Sequence, residues 1–175
     1  RTGRALREPD EDQAQQMSVK PTTESASAGD ASEGGHPTQT EIEAMAISGS
    51  PTDLENLGKV VAHHPDAQMR YLAVTLLGDI PNHRAVLAIE RGFGDEDPMF
   101  RSYLVETLGT NEALDSVRSL GHVIFGDPDP SVRLLAVSNL TFREEEPARG
   151  FLRDAARDPD PAVRRAAATA LRAFR

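Results

Sequence analysis

The pattern of apolar and polar positions changes character near residue 40. Beyond that point large apolar residues recur every three to four positions, the period of an amphipathic helix, in segments punctuated by Asp, Asn, Gly and Pro. Two segments share one phrase, "DPDPSVRLLAVSNL" from Asp127 and "DPDPAVRRAAATAL" from Asp158, thirty-one residues apart. Registering the chain on the arginine of that phrase finds four copies, at Arg70, Arg101, Arg133 and Arg164, spaced 31, 32 and 31 residues. Asp stands four positions before each, as Asp66, Asp97, Asp129 and Asp160. A large apolar residue directly precedes each: Met69, Phe100, Val132 and Val163. Ala73, Leu104, Ala136 and Ala167 follow at three positions, Val74, Val105, Val137 and Ala168 at four, and Leu77, Leu108, Leu140 and Leu171 at seven.

These offsets make one apolar stripe along a helix, here called helix B of each unit. The Asp is placed to cap its N-terminus by accepting hydrogen bonds from orphan N–H groups. Pro98, Pro130 and Pro161 follow directly, at the first helical position, where a missing N–H costs nothing. Gly78 and Gly109, after the Leu, are expected to act as helix stops. Ahead of each helix B lies a second periodic stretch, helix A, starting near Pro51, Pro81, Asn111 and Glu145. Glu41 to Ile47 is expected to form one further short helix covering the N-terminal end. No useful strand alternation occurs. A fixed period of this size signals a stacked repeat. The fold expected is all-α, about four helix pairs over residues 41–175, with repeats near 50–79, 80–110, 111–142 and 143–175.

The unit, with Asp129, Pro130, Val132, Arg133, Ala136, Val137 and Leu140 and their equivalents opening its second helix, resembles the HEAT repeat. It looks most like the short bacterial HEAT-like repeats also found in phycobilisome lyases. The resemblance spans roughly residues 50–175. It implies a right-handed α-solenoid, an alpha-alpha superhelix, in which the Asp and Arg form a structural ladder between neighbouring repeats with no catalysis attached. Such a repeat is a stacking device, informative about fold and nearly silent about function.

Composition adds bounds. Residues 1–40 include "KPTTESASAGDASEGGHPTQ", nearly free of large apolar side chains, and are expected to be a disordered or extended low-complexity tail. Between Arg4 and Val19 only a weak short helix is conceivable. A net charge of −9 argues against nucleic acid as a partner. Without cysteine there is no disulfide framework, thiolate nucleophile or cysteine metal site. No apolar run reaches membrane-spanning length. The chain opens Arg1-Thr2-Gly3-Arg4 without an initiator Met, which suits a fragment or processed form and is compatible with a removed N-terminal anchor or targeting segment. A bacterial cytoplasm or periplasm fits equally, so the compartment stays open.

Candidate chemistry centres on carboxylates: Asp95, Glu96 and Asp97; Asp127 with Asp129; Asp158 with Asp160. Acid/base pairs or a divalent-cation site would need such groups. Repetition in register favours capping instead, because an active site normally occurs once. "HHPD" at His63–Asp66 coincides with a turn, and the remaining histidines (His36, His83, His122) are too scattered for zinc. No phosphate loop, nucleophile elbow or dinucleotide fingerprint occurs. The expectation is therefore no catalytic residue, metal or cofactor. Asp66, Arg70, Asp97, Arg101, Asp129, Arg133, Asp160 and Arg164 are structural repeat positions. An acidic-ligand role for Arg133, Arg164 and Arg165 is the alternative.

Function is sought where the repeat varies. The position after the ladder Arg is Tyr71, Ser102, Leu134 and Arg165; Thr75, Glu106, Ser138 and Thr169 lie further along the same face. With Tyr103, they would line a concave helix-B surface and supply anchors for a protein partner. The bland alternative is that Tyr103 and Leu134 complete packing between repeats. The last helix carries Arg164, Arg165, Arg172 and Arg175 as a polar end face, with Phe174 either an exposed contact or a core plug. The functional expectation is a non-catalytic scaffold, adaptor or accessory subunit binding a partner protein on the B face. The alternatives are a bilin lyase or lyase-like subunit, by family resemblance, and recruitment through the N-terminal tail.

Overall fold

The computed structural model describes residues 35–173. All regular structure among these residues is helical: α1 (Gln39–Ser48), α2 (Pro51–His63), α3 (Ala67–Gly78), α4 (His83–Glu90) with a 3-10 turn at Arg91–Gly94, α5 (Pro98–Thr110), α6 (Leu114–Gly126), α7 (Pro130–Leu140), α8 (Glu146–Ala155) and α9 (Pro161–Ala173). They stack in two layers. Helices α2, α4, α6 and α8 form the A layer, each touching the next. Helices α1, α3, α5, α7 and α9 do the same in the B layer. Among the described residues helix α1 is a B-layer helix with no A partner of its own, and it packs against α2 and α3. No helix among the described residues is long and apolar enough to cross a membrane.

The starts of the helices follow from their caps. Asp66, Asp97 and Asp129 accept hydrogen bonds from the backbone N–H groups of Gln68, Met99 and Ser131, and Asp160 from those of Ala162 and Val163. Each cap satisfies donors that the helix leaves orphaned, worth about 1 kcal/mol. Helix α1 begins with a capping box between Thr38 and Glu41 and ends at Gly49, whose φ of 58° is the left-handed conformation that favours glycine.

The helix-B stripe is the spine of the core. Leu77, Leu108 and Leu140 are fully buried, as are Val74, Val105 and Val137. Each such side chain stabilises the fold by about 1.5–3 kcal/mol. In the last repeat the stripe loosens: Ala168 and Leu171 are only half-buried.

Two expectations need correction. Gly78 is the last residue of α3, where a stop was expected, but Gly109 lies inside α5, and neither works through a left-handed conformation: among the described residues only Gly49 is a glycine with positive φ. Their small size is needed for approach between B helices. A Cβ on Gly78 would sit 2.5 Å from Thr107 Cγ2 of α5, and one on Gly109 would collide with Asn139 of α7. The boundary at residue 40 is also late, because Pro37 and Thr38 already belong to the folded unit through the contacts of Thr38 with Glu41 and of Pro37 with His64. The rest of the expected tail, the weak helix between Arg4 and Val19, and Phe174 and Arg175 lie outside the described residues.

Candidate functional site

The two carboxylates of the repeated turn divide their work. The second Asp caps its helix. The first, six positions before the ladder Arg, folds its own turn and bridges repeats. Asp95, Asp127 and Asp158 each accept the backbone N–H of the Asp two residues on, at 2.9, 2.9 and 2.8 Å. Asp127 also takes Nε and Nη2 of Arg101 at 2.8 and 3.1 Å, and Asp158 takes the same two groups of Arg133 at 2.9 and 2.9 Å. These are bidentate forks, the strongest geometry for a guanidinium and a carboxylate. Each Arg is held in turn by its own turn's carbonyls: Arg101 Nη1 donates to Asp95 and Glu96, and Arg133 Nη1 to Asp127 and Pro128.

This corrects the ladder implied by resemblance. Its carboxylates are Asp95, Asp127 and Asp158, not the capping Asp97, Asp129 and Asp160. The signal was present in the sequence, since all three stand at one fixed offset from their Arg. The rungs differ in quality. Arg133 and Asp158 retain 10% and 4% of their side-chain exposure, whereas Arg70 and Asp95 retain 22% and 19% and approach only to 3.5 Å. Arg70 instead lies over the Phe100 ring, 5.2 Å from its centroid.

Electrostatics follow the geometry. The hydrogen-bonded Arg133 guanidinium holds the Asp158 carboxyl below the usual carboxylate range. Asp127 and Asp158 push Arg101 and Arg133 further up. The Ser131 hydroxyl and N–H lower Asp129. With their carboxyls lowered and hydrogen-bonded, Asp129 and Asp158 are poor candidates for general acids. In the first repeat His64 replaces the bridging Asp. It is buried, its Nδ1 accepts the Asp66 N–H at 3.1 Å, and its Nε2 is 3.1 Å from the Pro37 carbonyl, which fixes the Nε2–H tautomer. His83 faces Asp115 at 3.1 Å, and His63 and His122 are exposed. Among the described residues no three His, Cys, Asp or Glu side chains group as a metal site would require.

The expected B-face residues fall into two sets. Tyr71, Tyr103 and Thr75 form a cluster across the α3–α5 junction. Tyr71 meets Phe100 and Tyr103 with ring centroids 5.0 and 4.9 Å apart. The Thr75 hydroxyl donates to the Tyr71 carbonyl, so at 2.6 Å it accepts from the Tyr103 hydroxyl. Burial pushes the Tyr71 phenol up, helped by Asp97. Ser102 and Leu134 are half-buried, Leu134 against the core, and Glu106 is exposed.

Ser138 and Arg165 belong to a different place, the α7–α9 junction. Two positions after the ladder Arg stand Tyr103 in α5, Leu135 in α7 and Ala166 in α9. Where Tyr103 fills its junction, Ala166 leaves an open groove of about 400 Å³, lined by Ser138, Thr141, Phe142, Arg165, Ala166 and Thr169 with Ala170 and Ala173. Phe142 is 84% exposed on its edge and also borders a second, more polar groove with Arg143, Glu144, Glu146 and Arg149. Sequence reasoning missed Phe142, which lies outside the repeat register; a large aromatic residue in the charged stretch "TFREEE" was the available signal.

A family profile described as HEAT repeats matches residues 117–175, the third and fourth helix pairs. A search of curated proteins found no match. Among solved structures the chain is similar to human deoxyhypusine hydroxylase in complex with glycerol, with a TM-score of 0.61 and 22% identity. That similarity covers 69% of this chain and 43% of the hydroxylase, so the chain spans less than half of that protein's length, and the likeness is one of fold. Together with four units in register and two helical layers, these matches support a helical repeat of the HEAT kind, matched by the profile over residues 117–175.

Proposed function

We propose that the protein is a non-catalytic scaffold that binds a partner polypeptide on its B face, in the groove between α7 and α9. The observation that carries this reading is the contrast in filling. The same face is closed by tyrosines at α3–α5 and open at α7–α9, where an exposed Phe142 stands beside Arg165 over a floor of alanines. An exposed aromatic residue, a neighbouring Arg and small residues that admit a close-fitting segment are the composition of a binding hot spot. Phe142 would insert into the partner, Arg165 would meet its polar rim, and Ser138 and Thr169 would offer hydroxyls. The engaged carboxylates of the turns favour a binding rather than a catalytic reading.

The test is a quantitative affinity purification with the full chain, comparing the native protein with F142A/R165E and with T75V. Partners should be depleted for the first variant and retained for the second. Equal recovery with all three would reject the groove.

A further inference from the structure

Side chains of the protein itself fill two of the seams between successive A-layer helices. At α2–α4 the stem of Arg91 lies against Gly58, where an added Cβ would stand 2.8 Å from its Cδ. At α6–α8 the ring of Phe151 lies on Gly121, 2.5 Å from the place of an added Cβ. The seam between them, α4–α6, is open. Beside the 3-10 turn that follows α4 it holds a cavity of about 310 Å³, whose lining includes Glu90, Phe93, Ser119, His122, Val123 and Pro128.

The chemistry of this cavity is one-sided. Two rings, Phe93 and His122, and the apolar Val123 and Pro128 form walls, and no Lys or Arg lines it. Its two carboxylates differ. Asp127 is already held in the Arg101 fork. Glu90 has no cationic partner among the described residues. Ser119, only 2% exposed, donates its hydroxyl to Glu90 Oε1 at 2.6 Å and so fixes the carboxylate, while Oε2 accepts no hydrogen bond among the described residues. The surroundings favour a cation as well: residues 35–146 hold eight Lys or Arg against eighteen Asp or Glu. An apolar-walled cavity suits a cation that gives up water readily and lies flat against rings. A guanidinium does both, whereas an ammonium is compact and strongly hydrated. The neighbouring α2–α4 seam already packs an arginine stem, that of Arg91.

We propose that the α4–α6 cavity receives an arginine side chain of a partner protein, with its guanidinium on Glu90 and its plane against Phe93 and His122. This site lies in the A layer and does not rest on the α7–α9 groove of the B layer.

The probe is the peptide acetyl-Ala-Leu-Arg-Leu-Ala-amide, titrated into the full chain at low ionic strength while backbone amides are followed by NMR. The amides of Phe93, Ser119, His122 and Val123 should shift together and saturably. Citrulline in place of the arginine keeps the shape and removes the charge, and should weaken binding about tenfold. Lysine in its place keeps the charge and loses the plane, and should weaken binding about threefold or more. Glu90→Gln should weaken the arginine peptide about tenfold, with its backbone spectrum otherwise preserved. Glu55→Gln removes one exposed charge on α2 and should change affinity by about twofold or less. Unmoved amides around the cavity, a citrulline or lysine peptide that binds as tightly, or a Glu90→Gln chain that binds as tightly would each overturn the proposal.

Discussion

The α3–α5 and α7–α9 junctions of the B layer solve one problem by opposite means. At α3–α5 the ionic rung is loose, Arg70 to Asp95 at 3.5 Å, and the helices are held by Tyr71, Phe100 and Tyr103 in mutual contact. At α7–α9 the rung is a buried fork, Arg133 to Asp158, and the surface above it is alanine. A junction secured from beneath does not need its surface filled. On the proposed reading the repeat leaves one stretch of its face open for binding above a tight rung, and what varies there is a better guide to function than what recurs.

The largest predicted effect breaks this comparison at the rungs. Asp158→Ala strands a buried guanidinium and should cost about 3–5 kcal/mol in chemical denaturation. Asp95→Ala, which removes the same turn bond but only a loose rung, should cost about 1 kcal/mol. Equal losses would remove the distinction. The fork also sets a pH signature. Asp158 is lowered in the folded state, so its contribution is fully present above the unfolded carboxylate value near about 4 and is lost as pH falls through the folded value. The stability gap between the native chain and Asp158→Ala should be flat near neutrality and narrow below about pH 4.

Close approach comes next. Gly78→Ala should destabilise by about 1–3 kcal/mol, because the new methyl meets the β-branched Thr107 across the junction. A thermal melt reads this directly, and an unchanged midpoint would restore the helix-stop reading of that glycine. Asp129→Ala removes a cap and no rung, and should cost about 1 kcal/mol, well below Asp158→Ala although both residues belong to identical four-residue turns. Smallest is Tyr103→Phe, which takes the hydroxyl from Thr75 on a partly exposed face and should cost about 0.5–1 kcal/mol.

Much of the scaffold was legible in the sequence because stacking forces periodicity. The stripe from Phe100 to Leu108, the caps at Asp97 and Asp129 and the prolines at the first helical positions all obey local rules. What escaped depends on the neighbour. Nothing local separates the capping Asp129 from the bridging Asp127; the difference lies in Arg101, 26 residues away. Gly109 has the look of a terminator until Asn139 is placed against it. Tyr71 and Ser138 share a face, yet whether each is packing or open surface depends on the size of the residue on the next B helix, Tyr103 or an alanine. Phe142 lay outside the register altogether.

The claim that the open junction is the binding surface is tested most directly by site-specific photo-cross-linking in cells. A benzophenone side chain at Thr169, in the α7–α9 groove, is compared with one at Thr75, on the filled α3–α5 junction. The account predicts discrete partner adducts from position 169 and none from position 75. Adducts from position 75 with none from position 169 would contradict it.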